Sequence, residues 1–377
     1  MKKSQIVFIN QSSGYLMIDI IGAYKGLYDE RILLAGSVNS RNNKLPEGVV
    51  LHSLIKYVRD SKIKRIYTWI IAFIQILWIV KTRYRNAFLF IVTNPPLSVF
   101  IPLFCKNSFS LLIYDVYPDA LTELKILKEK SFVVKLWKLA NKIIYAKASR
   151  IVTISNGMKK LLSQYSIGSQ ISVIPIWTDN QFFLKIPKEK NTFLKEHGLY
   201  NKFIVLYSGN LGYTHDIDVI IDLADHLQND NVYFLIIGSG EKYKKISLDI
   251  KNRKLQNCKI LPLQPSDIMP YSFSAADIAI VTLSKDASRL SVPSKTYNYL
   301  SVGAPLLCIV ENNSEIGNLV LTYNIGECFS KNEIQKMQDY ILNVKNNIVY
   351  KSLLQNNAYK ASLDFGVDNA LKFIADV

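Results

Sequence analysis

Residues 289–307 read RLSVPSKTYNYLSVGAPLL. A Val292-Pro293-Ser294-Lys295 turn opens a short helical pattern, Gly303 closes it, and the apolar run PLLCIV (305–310) follows. That is a helix feeding a buried strand, one half of an α/β unit. Residues 291–295 would gather backbone amides, the Ser294 hydroxyl and the Lys295 ammonium at a helix start, with Arg289 just upstream. Dipole, donors and charge together suit a diphosphate. The plainer reading is a cap and a solvated lysine. Asn298, between Tyr297 and Tyr299, stands where such a helix could carry a carboxylate.

The same unit recurs in both directions. IVFIN (6–10), RILLAG (31–36), FLFIV (88–92), SLLIY (110–114), RIVTIS (150–155) and ISVIP (171–175) form one set of buried-strand runs. FIVLYSG (203–209), VYFLIIG (232–238), CKILPL (258–263), DIAIVTL (277–283) and PLLCIV form a second. Apolar runs separated by helical patterns indicate parallel sheets covered on both faces, and two sets in 377 residues indicate two doubly wound α/β domains. The charged segment FFLKIPKEKNTFLKEHGLYN separates them. The expected domains are 1–187 and 188–366, with a C-terminal helix at 367–377.

A hydrophobic content of 49% argues against disorder. The net charge of +16 and pI near 9.4 call for an anionic partner: nucleic acid, membrane or a small substrate. No RNP, helix-turn-helix or zinc-finger pattern is present, which sets nucleic acid aside. Cys105, Cys258, Cys308 and Cys328 lie far apart without metal-ligand spacing and read as reduced packing residues in a cytosolic protein. MKKSQIVFINQSS has too short an apolar run for a signal peptide and reads as a first strand. HExxH, GxSxG and Walker A patterns are absent.

Lys62 to Arg85 departs from this pattern. Its apolar centre, Ile66 to Val80, is interrupted only by Thr68 and Gln75, is flanked by cations, and carries Trp69 and Trp78 near its edges. The centre is shorter than the roughly 18–20 residues of a membrane span. A core helix and a helix lying in the interface of an anionic membrane both fit, and are compatible if one face packs inward.

Further candidate positions follow strands, where ligands of open α/β sheets gather. Gly14 in NQSSGYL would allow close approach of a ligand or of the other domain. Asp115 in YDVYPD could meet a substrate hydroxyl, while Pro118 and Asp119 look like turn and cap. In YSGNLGYTHDID, Gly209 and Gly212 before a helical pattern suit phosphate, with His215 near it or simply at a helix start. Gly238 and Gly240 in FLIIGSGE could seat a base or form a plain turn.

Together these motifs resemble the retaining glycosyltransferases of family 4. FINQSSGYLMIDI, YDVYPDAL, ASRIVTISNGMKKLL, ISVIPIWTDNQFF, VLYSGNLG, FLIIGSGE, SAADIAIVTL and VPSKTYNYLSVGAPLL occur in that family's order. The resemblance is to bacterial enzymes that build O-antigen, capsule or exopolysaccharide. It implies a GT-B fold, α/β, with two doubly wound Rossmann-like domains facing a cleft. It also implies a nucleotide-sugar donor, UDP-linked, on the C-terminal domain and a polyprenyl-diphosphate-linked or glycan acceptor on the N-terminal one. Hexosyl or N-acetylaminosugar transfer would proceed with retention and without an obligatory metal or cofactor. The C-terminal helix would pack back on the first domain, and the enzyme would sit peripherally on the inner face of the plasma membrane.

The expected catalytic residues are Asp115, Lys295 and Arg289. The expected donor contacts are Gly14, Gly209, Asn210, Gly212, His215, Gly238, Ser291, Ser294 and Asn298. The family's two glutamates, spaced E-x7-E, fall on Leu290 and Asn298 here, so Asn298 would meet the ribose without a charge. Asn210 and His215 stand where the family carries an Arg and Lys pair. A nucleotide-sugar 2-epimerase and a non-catalytic GT-B scaffold remain open alternatives.

Overall fold

Strands buried on both faces must be apolar at consecutive positions, and parallel strands need a covering helix between them. The computed structural model describes residues 4–39, 45–58, 61–123, 126–166, 171–212, 215–283 and 293–375, and divides into two units, Met1–Ile176 with Asp368–Val377, and Trp177–Val367.

The first unit carries β1 (Gln5–Ile9), β2 (Ser12–Gly14), β3 (Glu30–Ala35), β4 (Ser37–Asn39), β5 (Val49–Ser53), β6 (Phe88–Val92), β7 (Phe109–Ile113), β8 (Arg150–Thr153) and β9 (Ile171–Val173). Seven of them form a parallel sheet in the order β5-β3-β1-β6-β7-β8-β9, and β2 pairs with β4. The second unit holds β10 (Phe203–Asn210), β11 (Val232–Ser239), β12 (Cys258–Leu261), β13 (Ile278–Thr282), β14 (Leu306–Ile309) and β15 (Gly326–Phe329), ordered β12-β11-β10-β13-β14-β15, again parallel. Strand order reverses at β1/β6 in one sheet and at β10/β13 in the other. Those switch points open crevices at the carboxyl ends of the strands.

The expected strands all form. The sequence reading omitted the edge strands β5 and β15, which are short and carry polar residues such as His52 and Glu327. It also set the domain boundary at Pro187, whereas the chain divides between Ile176 and Trp177. Residues after 176 are tied into the second unit: Thr178 N donates to Phe365 O (3.0 Å), Asn180 Nδ2 to Ser362 O (2.9 Å), and Ser301 Oγ to Phe183 O (2.8 Å). The C-terminal segment Val367–Phe373 is a 3₁₀ helix rather than an α-helix. Its Phe373 ring packs 6.0 Å from Phe90, and its carbonyl accepts from Tyr24 Oη and Arg150 Nη1, both at 3.1 Å.

Lys62–Arg83 is one helix of 22 residues, started by Ser61 Oγ, which accepts from Lys64 N. It is long and apolar enough by length and composition to cross a membrane, so its helical extent exceeds its uninterrupted apolar centre. Ala72, Ile76, Ile79 and Val80 are buried in the first core with Ile9, Leu89 and Leu111. The two polar interruptions also face the protein. Gln75 Oε1 accepts from Ile55 N at 2.8 Å, and buried Thr68 donates to Arg65 O at 2.9 Å. Ile63, Ile66, Ile70, Ile74 and Trp78 are exposed at helical spacing on the other side. The core reading therefore holds for one face of this helix, and the other face is bare and apolar. Trp69 does not share that bare face, for it is half-buried and stacks on Tyr57.

In the second unit a single buried carboxylate ties three segments together. Asp277 Oδ2 accepts from Ile204 N (2.8 Å) and Lys188 Nζ (2.5 Å), and Oδ1 accepts from Lys351 Nζ (2.5 Å). Removing one partner from a buried ionic network strands the others, at about 3–5 kcal/mol. Asp277→Ala is expected to lower the urea midpoint correspondingly with the m-value unchanged, and Lys351→Met to cost distinctly less.

Candidate functional site

β10 ends at the switch point of the second sheet. Tyr207 and Gly209 are two residues apart and therefore share a face of the strand. Gly209 has φ +151°, a conformation that favours glycine, and a β-carbon there would stand 3.1 Å from Lys295 Nζ. The lysine runs through the space that the missing side chain leaves. Its Nζ lies 3.5 Å from the centre of the Tyr207 ring, which fits a cation over an aromatic face. Tyr207 is held in place by its hydroxyl, which donates to Asn210 O at 2.6 Å. The next residue, Ser208, donates its N–H to Tyr299 Oη at 2.7 Å. This fixes the helix Lys295–Ser301 against β10.

Among the described residues, Lys295 Nζ is buried without a hydrogen-bond partner, although the residue as a whole is half-exposed. Burial lowers its pKa to about 7, because loss of water disfavours the charged form and, among the described residues, no carboxylate restores it. His215 lies beside it. Its Nδ1 is 2.7 Å from Thr282 O and so donates there, leaving Nε2 as acceptor in the neutral ring. Burial, and then the Lys295 charge, push this histidine below its usual value. The result is a lysine ammonium, a neutral imidazole and the exposed Ser294 at one strand mouth. Ser294 has helical dihedrals and makes no cap hydrogen bond with its side chain, contrary to a pure capping role.

Other expected residues fall differently. Gly238 pairs with Gly209 across β10 and β11, and a β-carbon on it would lie 2.1 Å from Gly209 O. Sheet packing therefore requires this glycine, which explains it without a nucleotide base. Gly212 is crowded as well: a β-carbon there would lie 2.9 Å from Asn210 Nδ2 and 3.3 Å from Glu241 Oε2. The helix Asp218–His226, expected to offer its N-terminus to phosphate, carries Asp218 in its first turn, bound by Lys242 (3.1 Å) and Lys245. That end already faces a carboxylate. Asn298 Oδ1 accepts from Thr178 Oγ1 at 2.7 Å, which orients the amide so that its N–H groups can donate to a ligand hydroxyl. Arg289, Ser291 and Leu290 lie outside the described residues.

In the first unit, Gly14 precedes the helix Tyr15–Ala23 with φ −97°, and a β-carbon there would meet nothing within 4 Å. Nothing in the folded chain demands glycine at this position. Asp115 follows β7, and its N–H lies 3.4 Å from Thr93 Oγ1. Its side chain is exposed by area, yet the dense protein on its inner side raises its carboxyl above the usual range. Asp119 begins a helix as expected, but it is buried, accepts from Tyr165 Oη and pairs with Lys138 at 3.1 Å. The sequence reading missed Tyr207 and Thr178. Strand periodicity could have found the tyrosine; Thr178 comes from the segment assigned to the other domain. Among the described residues no cluster of three metal-ligating side chains occurs.

Residues 189–361 match the family model described as glycosyl transferases group 1. The probable glycosyltransferase WbjE of Pseudomonas aeruginosa is 28% identical over 221 residues, 57% of this chain and 54% of that protein. The putative colanic acid biosynthesis glycosyl transferase WcaI of Escherichia coli K12 is 30% identical over 138 residues, 36% of this chain and 34% of that protein. The chain thus spans about half and about a third of these relatives. Anabaena Alr3699/HepE in complex with UDP and glucose superposes with a TM-score of 0.73 at 15% identity, over 98% of each chain. WaaG, a glycosyltransferase involved in lipopolysaccharide biosynthesis, gives 0.69 at 12% identity, over 99% of this chain and 100% of that one. These likenesses show the fold, GT-B.

Lys295 carries a stability signature. Its folded pKa, about 7, lies below the ordinary lysine value of 10.5, so the unfolded chain binds more protons between those two values. Stability should therefore rise with pH across that window and be lowest below about 7. Lys295→Met, which keeps the stem and removes the charge, is expected to raise the Tm of the unliganded chain at neutral pH by at least about 2 °C. It should also flatten the pH dependence of stability above neutrality, as scanning calorimetry would show.

Proposed function

We propose that this chain, whose residues 189–361 match the group 1 glycosyl transferases, moves a sugar from a UDP-linked donor to a lipid-linked or glycan acceptor in surface-polysaccharide assembly, at the inner face of the plasma membrane. The observation that carries the reading is the buried, unpartnered ammonium of Lys295 at the β10/β13 switch point. A cation desolvated against an aromatic ring gains most from a ligand that brings compensating negative charge. A nucleoside diphosphate is such a ligand, and HepE holds UDP on the same fold. The likeness to WbjE and WcaI supports sugar transfer, and the colanic acid role of WcaI supports a polysaccharide product.

Departure of the sugar leaves growing charge on the β-phosphate. Lys295, with the Ser294 hydroxyl, would stabilise that charge, which is the largest lever available to such a site. Binding the anion raises the lysine pKa, so donor binding takes up a proton above pH 7. Donor affinity should therefore weaken as pH rises from about 7. Asn298 can donate to a ribose hydroxyl. Asp115, with its raised carboxyl, suits proton acceptance from an acceptor hydroxyl. Retention at the anomeric carbon follows from the family resemblance.

Thermal shift with UDP-, GDP- and dTDP-sugars, then transfer to a polyprenyl-diphosphate-linked acceptor, tests the reading. A UDP-sugar should raise the Tm, and Lys295→Met should abolish that shift. Asp115→Asn should lower kcat by about a hundredfold with donor affinity unchanged. Absence of transfer across the donor panel would sink the proposal. Isomerised sugar without acceptor would identify an epimerase, and nucleotide binding without turnover a scaffold.

A further inference from the structure

The sequence places the whole formal charge in one segment. Residues 1–176 hold 25 Lys and Arg against 9 Asp and Glu (25 − 9 = +16), and residues 177–377 hold 21 against 21. Between Asp60 and Asp115 there is no acidic residue, but there are seven Lys and Arg. Donor binding as proposed in the second unit uses none of these cations.

The apolar surface lies in the same stretch. A trough of about 440 Å³ runs between the Lys62–Arg83 helix and the helix Phe132–Tyr145, with the 3₁₀ helix Pro96–Leu103 alongside. Phe73, Phe100, Leu103, Phe104, Leu136 and Trp137 line it. Rings brace the walls: Phe73 against Phe104 at 5.9 Å, and Phe100 against Trp137 at 5.4 Å. Leu103, Phe104 and Leu136 are about half exposed. Outside the trough, Phe132, Leu139 and Ile143 on one helix and Ile63, Ile74 and Trp78 on the other leave further apolar area in water, with Phe132 at 78% exposure. A continuous wall of aromatic and aliphatic side chains of this kind exceeds what scattered surface residues explain.

Phe104 also lines a second cavity, of about 360 Å³, with Lys81, Arg85 and Lys106. Arg85 is held there by its Nε–H, which donates to Lys81 O. Asn107 anchors the floor by donating to Tyr84 O (2.9 Å) and Ala87 O (2.7 Å). Among the described residues no salt bridge engages Lys81, Arg85 or Lys106. An apolar trough that shares the Phe104 wall with a cluster of three cations has the polarity of a lipid with an anionic head.

We propose that this face of the first unit is a lipid site that takes a hydrocarbon chain of a phosphate-headed membrane lipid into the trough and its phosphate onto Lys81, Arg85 and Lys106. The commitment to a bilayer lipid rests on the charge complementarity and on the bare apolar stripes flanking the trough, which would enter the headgroup region. The proposal deepens the acceptor reading above, because a lipid-linked substrate would be met at the surface that holds the enzyme. It does not require sugar transfer to be correct.

Vesicle flotation with the full chain tests it. Wild type should bind mixed phosphatidylcholine–phosphatidylglycerol vesicles and bind phosphatidylcholine alone weakly. Lys81→Gln/Arg85→Gln/Lys106→Gln should weaken binding to the mixed vesicles about a hundredfold. Leu103→Ser/Leu136→Ser should weaken it at least about tenfold. Both variants change exposed positions, so unaltered thermal melts and donor-induced Tm shifts will certify the fold. Brominated acyl chains should quench wild-type fluorescence more than that of Trp137→Phe. Full binding by both variants, loss only in the charge variant, or equal quenching in Trp137→Phe would each overturn the site. Release by inorganic phosphate beyond that by sodium chloride of equal ionic strength would identify a free-phosphate site instead. Because none of these readouts involves turnover, their failure is distinguishable from failure of the transferase reading.

Discussion

A lysine ammonium kept out of water, without a carboxylate beside it among the described residues, is the constraint around which the second unit is arranged. It is tolerated because Gly209 has no side chain, because the Tyr207 ring offers its face at 3.5 Å, and because Tyr299 locks the helix start to β10. Each of these is a local choice that would be poor elsewhere: a glycine at φ +151° in a strand, a buried tyrosine hydroxyl, an unpaired buried cation. Their coincidence at one switch point is what makes this place the candidate site. A carboxylate at position 298 would have changed this balance by supplying a nearby negative charge. The neutral asparagine supplies no such charge, which is why the proposed donor diphosphate would be the lysine's compensation.

The parallel sheets were legible because doubly buried strands leave an unmistakable run of apolar residues, as in FIVLYSG and DIAIVTL. The edge strands β5 and β15 were not, since VVLHS and GECF bury one side at most and carry polar groups. The boundary was misplaced for a related reason. FFLKIPKEK looks like a linker by charge, but its backbone is fixed by hydrogen bonds to Ser274 and Ser301, partners some hundred residues away that no local pattern reveals. At the site, Gly209 and Lys295 were readable from turn chemistry. Gly238 is ambiguous in the sequence because one glycine in a strand can serve a ligand or a neighbouring strand, and the 2.1 Å approach of Gly209 O accounts for it by the strand alone.

The Lys62–Arg83 helix shows how burial can invert an expectation. Apolar helices of soluble proteins usually turn their polar residues outward. Here Gln75 and Thr68 point into the unit and serve its backbone, while a stripe of isoleucines and Trp78 points out. Hydropathy averaged along the chain cannot distinguish the two orientations, because both give the same mean. What distinguishes them is the partner of each polar side chain. Ile55 N has its hydrogen bond only because Gln75 faces inward, so the orientation is fixed from inside the fold and leaves the outer stripe to be accounted for by something outside it.

On the proposed reading, the division of charge separates two ways of holding an anion. The second unit is formally near neutral and relies on one desolvated ammonium, whose field is strong because little water screens it. The first unit spreads its excess over many exposed side chains, each weak alone and effective only against an extended anionic surface. Exposed charges of that kind lose their effect as ionic strength rises, whereas a buried one largely keeps it. A chain that must hold a small soluble anion and also stay at a charged interface gains from this arrangement. The two attractions then respond to different variables, salt for the surface and proton concentration for the site, and neither has to be weakened to adjust the other.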